Sequence, residues 1–302
     1  MSESIPLTEF GPRDGHNFEL DWAGHGVEAH FLSDVGKKRK NNEDSCILCA
    51  PESASLAAER GLLFAVADGM GGASAGEYAS RMALKTLVEG YYSGEHQSIP
   101  AALREALDRA NGKIFEESEI NPQYSGMGTT VSALILRGEW VYAAQVGDSR
   151  LYLLRERSGL HQVTRDHSLV AEQLRSGLIN EEEARNHSLK NLITRAVGIK
   201  DSVKTDLFCF QIQRGDTLLL CSDGLSNLVS DDCISEALSS ADLKRGTQSL
   251  IAQALGGGGT DNITAVTIRI ASAPQKSERQ PGAEEVVFAS TGLWGRLRQL
   301  FL

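Results

Sequence analysis

Apolar residues recur along this chain with two periods. Short runs rich in Val, Ile, Leu and aromatic residues at 27–32, 45–49, 62–67, 129–136, 140–146, 151–154, 207–212, 217–221 and 263–270 predict strands. Arg137-Gly138-Glu139 predicts a hairpin turn between two of them. Helical spacing appears from Gly76 to about Tyr92. It recurs after Ser98, a capping serine, where Leu103, Ala106, Leu107, Ala110 and Ile114 share one face. Further helices are predicted over 166–176, 180–185, 230–239 and 242–255, the last stopped by four glycines at 256–259. The strands come in meanders and the helices in separate blocks. That order predicts antiparallel sheets with helices outside them, not a regular alternation of strand and helix.

Both ends read differently. Residues 1–25 show no clear period and predict a flexible N-terminal arm. Residues 272–288 are polar and proline-containing, a linker by composition. In the final segment, 289–302, Leu293, Trp294, Leu297, Leu300 and Phe301 fall on one helical face, which predicts a short amphipathic C-terminal helix able to dock its own domain or a partner. Residues 26–271 between them form the expected main domain.

Composition narrows the function. The chain has 302 residues, 41% of them hydrophobic, which is enough for a large core, and a net charge of −10, which disfavours a nucleic-acid surface. No apolar run approaches the roughly 18 residues of a membrane span, and the N-terminus lacks a signal-peptide pattern. Five scattered cysteines, an odd number, fit free thiols in a reducing compartment, so a cytoplasmic location is expected. Cys46 and Cys49 form a lone CxxC, but on a strand their side chains face opposite ways.

The glycine-rich stretch Asp68-Gly69-Met70-Gly71-Gly72-Ala73-Ser74-Ala75-Gly76 admits three chemistries. A dinucleotide turn needs a third glycine where Ser74 stands. A serine nucleophile at Ser74 matches Gly-x-Ser-x-Gly, but Asp68 to Gly72 separate it from the strand end. A carboxylate metal site draws support from elsewhere in the chain. Glu43 and Asp44, Asp68, Asp148, Asp223 and Asp261 all lie where strands begin or end, beside small residues. One such acid is ordinarily a turn or capping residue. Several in equivalent places suggest convergence, and converging carboxylates need a cation, for which hard oxygen ligands suit Mg²⁺ or Mn²⁺. Rival phosphoryl chemistries lack their motifs. No cysteine is followed six residues later by arginine, and no Gly-x4-Gly-Lys-Ser/Thr is present.

The ordered set of motifs is specific. Ser33-Asp34-Val35-Gly36 with Arg39, Asn42, Glu43 and Asp44 resembles the opening motif of the PPM/PP2C metal-dependent protein phosphatases. Asp68 to Gly72 resembles the second. Gly128-Thr129-Thr130, Val146 to Arg150, Thr164 to Ser168, Ile193 to Gly198, Ser222-Asp223-Gly224 and Asp261-Asn262 follow in that family's order, with forms similar to its bacterial branch. The resemblance implies a four-layer α/β/β/α sandwich of the α+β class, with two Mn²⁺ or Mg²⁺ ions in a cleft between the sheets. It implies hydrolysis of phosphoserine and phosphothreonine on proteins by a metal-activated water, without a covalent phosphoenzyme. By the same resemblance, Asp68 bridges the metals, Gly69 offers its carbonyl, Asp223 and Asp261 complete one metal, and Glu43 and Asp44 hold the other. Arg39 would grip the phosphoryl oxygens. Asp148 and Asp223 would form a weaker third site, although Asn227 stands where members commonly carry an acid. Residues 166–195 would form a flap beside the cleft, where His167 and His187 are either structural or in touch with substrate. Phosphorylated proteins, and a cognate Ser/Thr kinase among them, are the implied partners. Two alternatives stay open: a regulatory module that binds phosphoproteins without turnover, and a serine esterase using Ser74.

Overall fold

The computed structural model describes residues 7–93, 98–185, 187–189 and 191–274. The C-terminal helix expected at 289–302, and all of the linker beyond residue 274, lie outside the described residues. The first half of the chain runs β1 (Leu7–Gly11), β2 (Phe18–Gly24), β3 (Val27–Asp34), β4 (Asp44–Ala50), α1 (Ala54–Arg60), β5 (Leu62–Met70), α2 (Ala73–Ser93), α3 (Ile99–Ile120), β6 (Gly128–Thr129), β7 (Val131–Arg137) and β8 (Trp140–Val146). The second half runs β9 (Arg150–Arg155), β10 (Gly159–Gln162), α4 (Leu169–Arg175), α5 (Glu181–Arg185), β11 (Asp206–Gln211), β12 (Thr217–Cys221), α6 (Asp223–Ser226), α7 (Asp231–Leu238), α8 (Leu243–Gly256) and β13 (Ile263–Ile270).

Two antiparallel sheets result. One is ordered β1-β4-β5-β7-β8-β11, with β6 attached to β5; the other is ordered β10-β9-β12-β13-β3-β2. The side-chain period of two sorts each strand's residues between layers. On β4, Cys46 and Leu48 face the opposing sheet, where they join Phe64, Phe31, Leu218 and Val266 in the central core. Ile47 and Cys49 face the other way, against Ala79, Ala83 and Leu87 of α2 and Leu103 and Leu107 of α3. The second sheet does the same with Leu219, Cys221 and Ala265, which meet Ile234 of α7 and Leu250 and Ala254 of α8. The layers are therefore helices, sheet, sheet, helices, as the resemblance implied. The Cys46–Cys49 motif is split between two cores, and both thiols are free. Burial pushes the Cys49 thiol up to about 11 and Cys46 higher still, which suits packing and not redox chemistry.

One expectation is corrected. The segment read as a flexible arm contains two edge strands. β1 pairs with β4 in the first sheet, and β2 pairs with β3 in the second. Phe18, Leu20 and Trp22 alternate with exposed Glu19, Asp21 and Ala23, and the three large side chains pack on the central core. Each run is short and broken by two polar residues, so the strand pattern is faint until the partner strands are in place. The other differences are local. α1 and β10 have no counterpart in the sequence reading. The run at 129–136 breaks into β6 and β7, and the helix expected at 166–176 begins only at Leu169, capped by Ser168.

Candidate metal centre

Antiparallel register does the first part of the assembly. β4 and β5 pair so that Asp44 stands directly opposite Asp68. Two like charges side by side on neighbouring strands repel unless something intervenes. The backbone around them is tightly held: Asp68 N–H donates to Thr130 Oγ1 at 2.9 Å, Thr130 N–H donates to the Asp68 carbonyl at 2.9 Å, and Gly69 N–H donates to the Glu43 carbonyl at 3.2 Å.

The second sheet closes on the same place. Ser222 Oγ and Thr264 Oγ1 both donate to Asp44 Oδ2, at 2.7 and 2.6 Å, linking the two sheets at one end of the sandwich. Asp44 Oδ1 is buried and has no hydrogen-bond partner. Asp223 opens α6 directly after Ser222, and Asn227 Nδ2 donates to Asp223 Oδ2 at 3.1 Å. Asp148 sits in the turn after β8. Asp261 precedes β13, where Asn262 acts as a pin: its Oδ1 accepts from Glu43 N–H, and its Nδ2 donates to the Val35 and Asn41 carbonyls, all at 2.9 Å.

The glycines of the opening stretch serve this packing. A Cβ on Gly69 would lie 2.1 Å from the Gly76 carbonyl oxygen, and one on Gly76 would lie 2.0 Å from Glu43 Oε2. β5 and the start of α2 thus cross at a distance only glycine allows, with the Glu43 carboxylate beside the crossing. Neither a dinucleotide cradle nor a nucleophile elbow is needed to explain them. Ser74 is exposed in the first turn of α2, not at the strand end.

The electrostatics are one-sided. Burial, and then the neighbouring Asp44, Asp223, Asp148 and Asp261, raise the Asp68 carboxyl well above its ordinary range. Burial likewise lifts Asp44 to about 7 against the opposing hydroxyl hydrogen bonds, with Asp223 and Asp261 adding to the rise. Asp148 is lifted to about 8 by burial and then by Asp223 and Asp166. Asp223 and Glu43 move in the same direction, burial again leading. Arg150 partly offsets the rise at Asp148 and Asp223 from a distance, and among the described residues the cation in direct contact with the cluster is Arg39. Its Nε and Nη2 each lie 2.9 Å from the Asp261 carboxylate oxygens, and its Nη1 lies 3.8 Å from Glu43 Oε1.

Every acid named from the sequence is therefore in one neighbourhood at the same end of both sheets. Among the described residues, no three His, Cys, Asp or Glu side chains already stand as a group spaced to hold one ion. The donor chemistry nevertheless fits divalent cations. The donors are all oxygen, Arg39 compensates only Asp261 and Glu43 among them by direct contact, and Asp44 Oδ1 is a buried acceptor with nothing to accept. Sequence reasoning missed the Ser222 and Thr264 hydroxyls, which orient Asp44. Ser222 lies within a quoted motif, but Thr264 is indistinguishable in sequence from any strand threonine.

The nearby histidine is structural. His167 is buried, its Nδ1 accepts from Gly147 N–H at 3.1 Å, and its Nε2 lies 3.2 Å from Asp206 Oδ2. His187 lies in the flap, its Nδ1 accepting from Leu189 N–H at 3.1 Å.

A sequence profile of the protein phosphatase 2C family matches residues 37–254. The chain belongs to the protein phosphatase 2C family, whose members are protein serine/threonine phosphatases. It is 38% identical over 247 residues to the serine/threonine phosphatase stp of Listeria monocytogenes, covering 80% of this chain and 95% of that protein. The crystal structure of the serine/threonine phosphatase PstP of Mycobacterium tuberculosis superposes with a TM-score of 0.71 at 38% identity, over 80% of this chain and 98% of that one. A PstP catalytic domain in complex with two manganese ions superposes at 0.69 with 37% identity, over 80% and 97% of the two chains. The fold and the bacterial branch inferred from the motifs are thereby established.

Proposed function

We propose that this protein hydrolyses phosphoserine and phosphothreonine on proteins, using two divalent cations held by Asp68, Gly69, Glu43, Asp44, Asp223 and Asp261, with Asp148 and Asp223 able to hold a weaker third. The observation that carries this reading is the pairing of Asp44 opposite Asp68, with hydroxyls from the other sheet on one Asp44 oxygen and the other, Oδ1, left partnerless. The manganese-bound relative adds support. When bound, such ions supply a water nucleophile at neutral pH and offset charge on the transferred phosphoryl group.

The chain's own residues set the rest. Ser222 and Thr264 hold one oxygen of Asp44 so that its other oxygen faces the site. Thr130 and the Glu43 carbonyl hold the Asp68-Gly69 backbone, and with it the Gly69 carbonyl. Arg39, half exposed at the rim, presents a planar fork suited to phosphoryl oxygens, and its present partner Asp261 would exchange that fork for a cation. Met70, beside these residues, has no proton to donate, so a side-chain acid for the leaving group is not expected there. Hydrolysis then needs no nucleophilic side chain and no covalent phosphoenzyme.

The test is turnover of a phosphothreonine peptide by the full chain with Mn²⁺, against an EDTA control. Metal-dependent release of phosphate is expected. EDTA-resistant activity lost on Ser74→Ala would instead favour the esterase, and tight phosphopeptide binding without turnover the regulatory module. Among the described residues no helix is long and apolar enough to cross a membrane. A cytoplasmic setting with a cognate Ser/Thr kinase is part of the same proposal, resting on the free cysteines and on the family.

A further inference from the structure

A cavity of about 540 Å³ lies between the flap, α3 and the start of β11, and its lining includes none of the clustered acids. Its walls gather five cationic side chains: Arg104 from α3, Arg165 from the loop after β10, Arg175 from the end of α4, and Arg195 and Lys204 from the segment before β11. Among the described residues, two acids, Asp108 and Asp206, share the lining. The balance is a local excess of positive charge in a chain of net charge −10. Like charges do not gather on an acidic protein without cost, and they repel one another in the absence of an anion.

Two acids face five cations in this lining. Asp206 is already engaged, accepting from Arg195 Nη1 at 2.8 Å and facing His167 Nε2 at 3.2 Å. Burial pushes its carboxyl up, yet the adjacent His167 and the hydrogen bond from Arg195 outweigh this and hold it well below the usual carboxylate range. Asp108 is perturbed the other way: burial raises it, and Arg104 only partly offsets that. Next to Asp206, Thr205 also lines the cavity, although its own Oγ1 is closed off from it. Guanidinium forks and an ammonium are the donor set that recognises tetrahedral oxyanions.

We propose that this cavity is a second oxyanion site, separate from the catalytic acids, that takes a phosphate-class dianion. Its volume falls within the roughly 300–1,000 Å³ typical of ligand pockets and exceeds what bare phosphate fills, so it has room for a phosphoryl group on a larger body such as a second phosphorylated residue of a substrate protein. The site is also wired to the cleft. His167 at its wall exchanges two backbone-level hydrogen bonds with Gly147, the residue before Asp148: its N–H donates to the Gly147 carbonyl at 3.0 Å, and its Nδ1 accepts from Gly147 N–H at 3.1 Å.

The inference does not depend on turnover, so failure of the metal-centre reading would leave it standing. The test uses the full chain with Mn²⁺ and calorimetric titration with inorganic phosphate, comparing wild type with an Arg104→Gln/Lys204→Gln variant. Both side chains are exposed, so the variant is expected to fold and to keep its turnover of p-nitrophenyl phosphate. The expected result is one class of phosphate sites weakened about tenfold or more, restored by Arg104→Lys/Lys204→Arg. A second arm separates the sources. If the anion arrives on a protein, KM for a doubly phosphorylated peptide rises about tenfold in the variant while that for the singly phosphorylated peptide does not. If it is free phosphate, only the titration changes. Equal stoichiometry and affinity for phosphate in wild type and variant, with unchanged KM for both peptides, would overturn the proposal.

Discussion

Two groups of buried carboxylates in this protein are treated in opposite ways. Asp216, at the turn before β12, is buried and fully answered: Arg155 Nε donates to its Oδ1 at 2.9 Å, Arg155 Nη2 to its Oδ2, and Gln213 N–H donates to Oδ2 at 2.9 Å. Asp166 is similarly gripped by Arg150. Asp44 and Asp148 are buried and Asp68 and Asp223 half-buried, yet among the described residues no basic side chain hydrogen-bonds to any of the four, and desolvation with mutual repulsion raises all of them. The chain evidently can pair an internal acid with an arginine where the acid is structural. Where it leaves four together, the compensating charge has to come from solution.

The sharpest way to break this contrast is Asp68→Asn. We expect at least about a thousandfold loss of kcat toward a phosphothreonine peptide, since one acid shared by the whole cluster is removed. The metal-free variant should melt no lower than wild type, because a repelling charge has gone. Full activity in Asp68→Asn would end the metal-centre reading. Asp216→Ala should behave in the reverse manner. Leaving the buried Arg155 fork unanswered should cost about 3–5 kcal/mol in denaturant unfolding, with little change in turnover by the molecules that stay folded.

Arg39→Ala is expected to be smaller and to fall mainly on KM, with kcat/KM down about tenfold to a hundredfold, the worth of a charge-assisted fork on phosphate. A pure loss of manganese affinity with unchanged KM would mean that the arginine serves only to position Asp261.

The smallest effect is on stability against pH. Asp44 and Asp148 are raised in the folded state, to about 7 and about 8, from an ordinary value near 3.8. The folded protein therefore binds more protons than the unfolded chain across that interval, and in EDTA its melting temperature should decline as pH rises from about 5 to 8. With Mn²⁺ the slope should reverse, because deprotonated ligands bind the ion and binding adds stability. Parallel curves with and without metal would contradict it.

Much of the site could be read before folding because its acids stand in short motifs at strand ends. Period-two runs located those ends, and glycines beside Asp68 and Asp223 marked close approaches. The alternation of Phe18, Leu20 and Trp22 was present but too brief to outweigh the turn residues around it, so β2 went unread. Thr264 and Ser222 were hidden for another reason: nothing local distinguishes a strand hydroxyl that reaches an acid from one that reaches its own backbone. The cationic cavity was equally silent, since its arginines come from α3, the flap and the approach to β11, none of them clustered in sequence.

By itself, then, the sequence determined the periodicities, the family motifs and the identity of the acids, because those are properties of neighbours along the chain. The tertiary structure alone decided that Asp44 faces Asp68, that two hydroxyls from the other sheet leave one Asp44 oxygen unanswered, and that Arg39 reaches Asp261. Such pairings join residues as much as 222 positions apart. Their energies depend on register and burial, which exist only once the two sheets have packed.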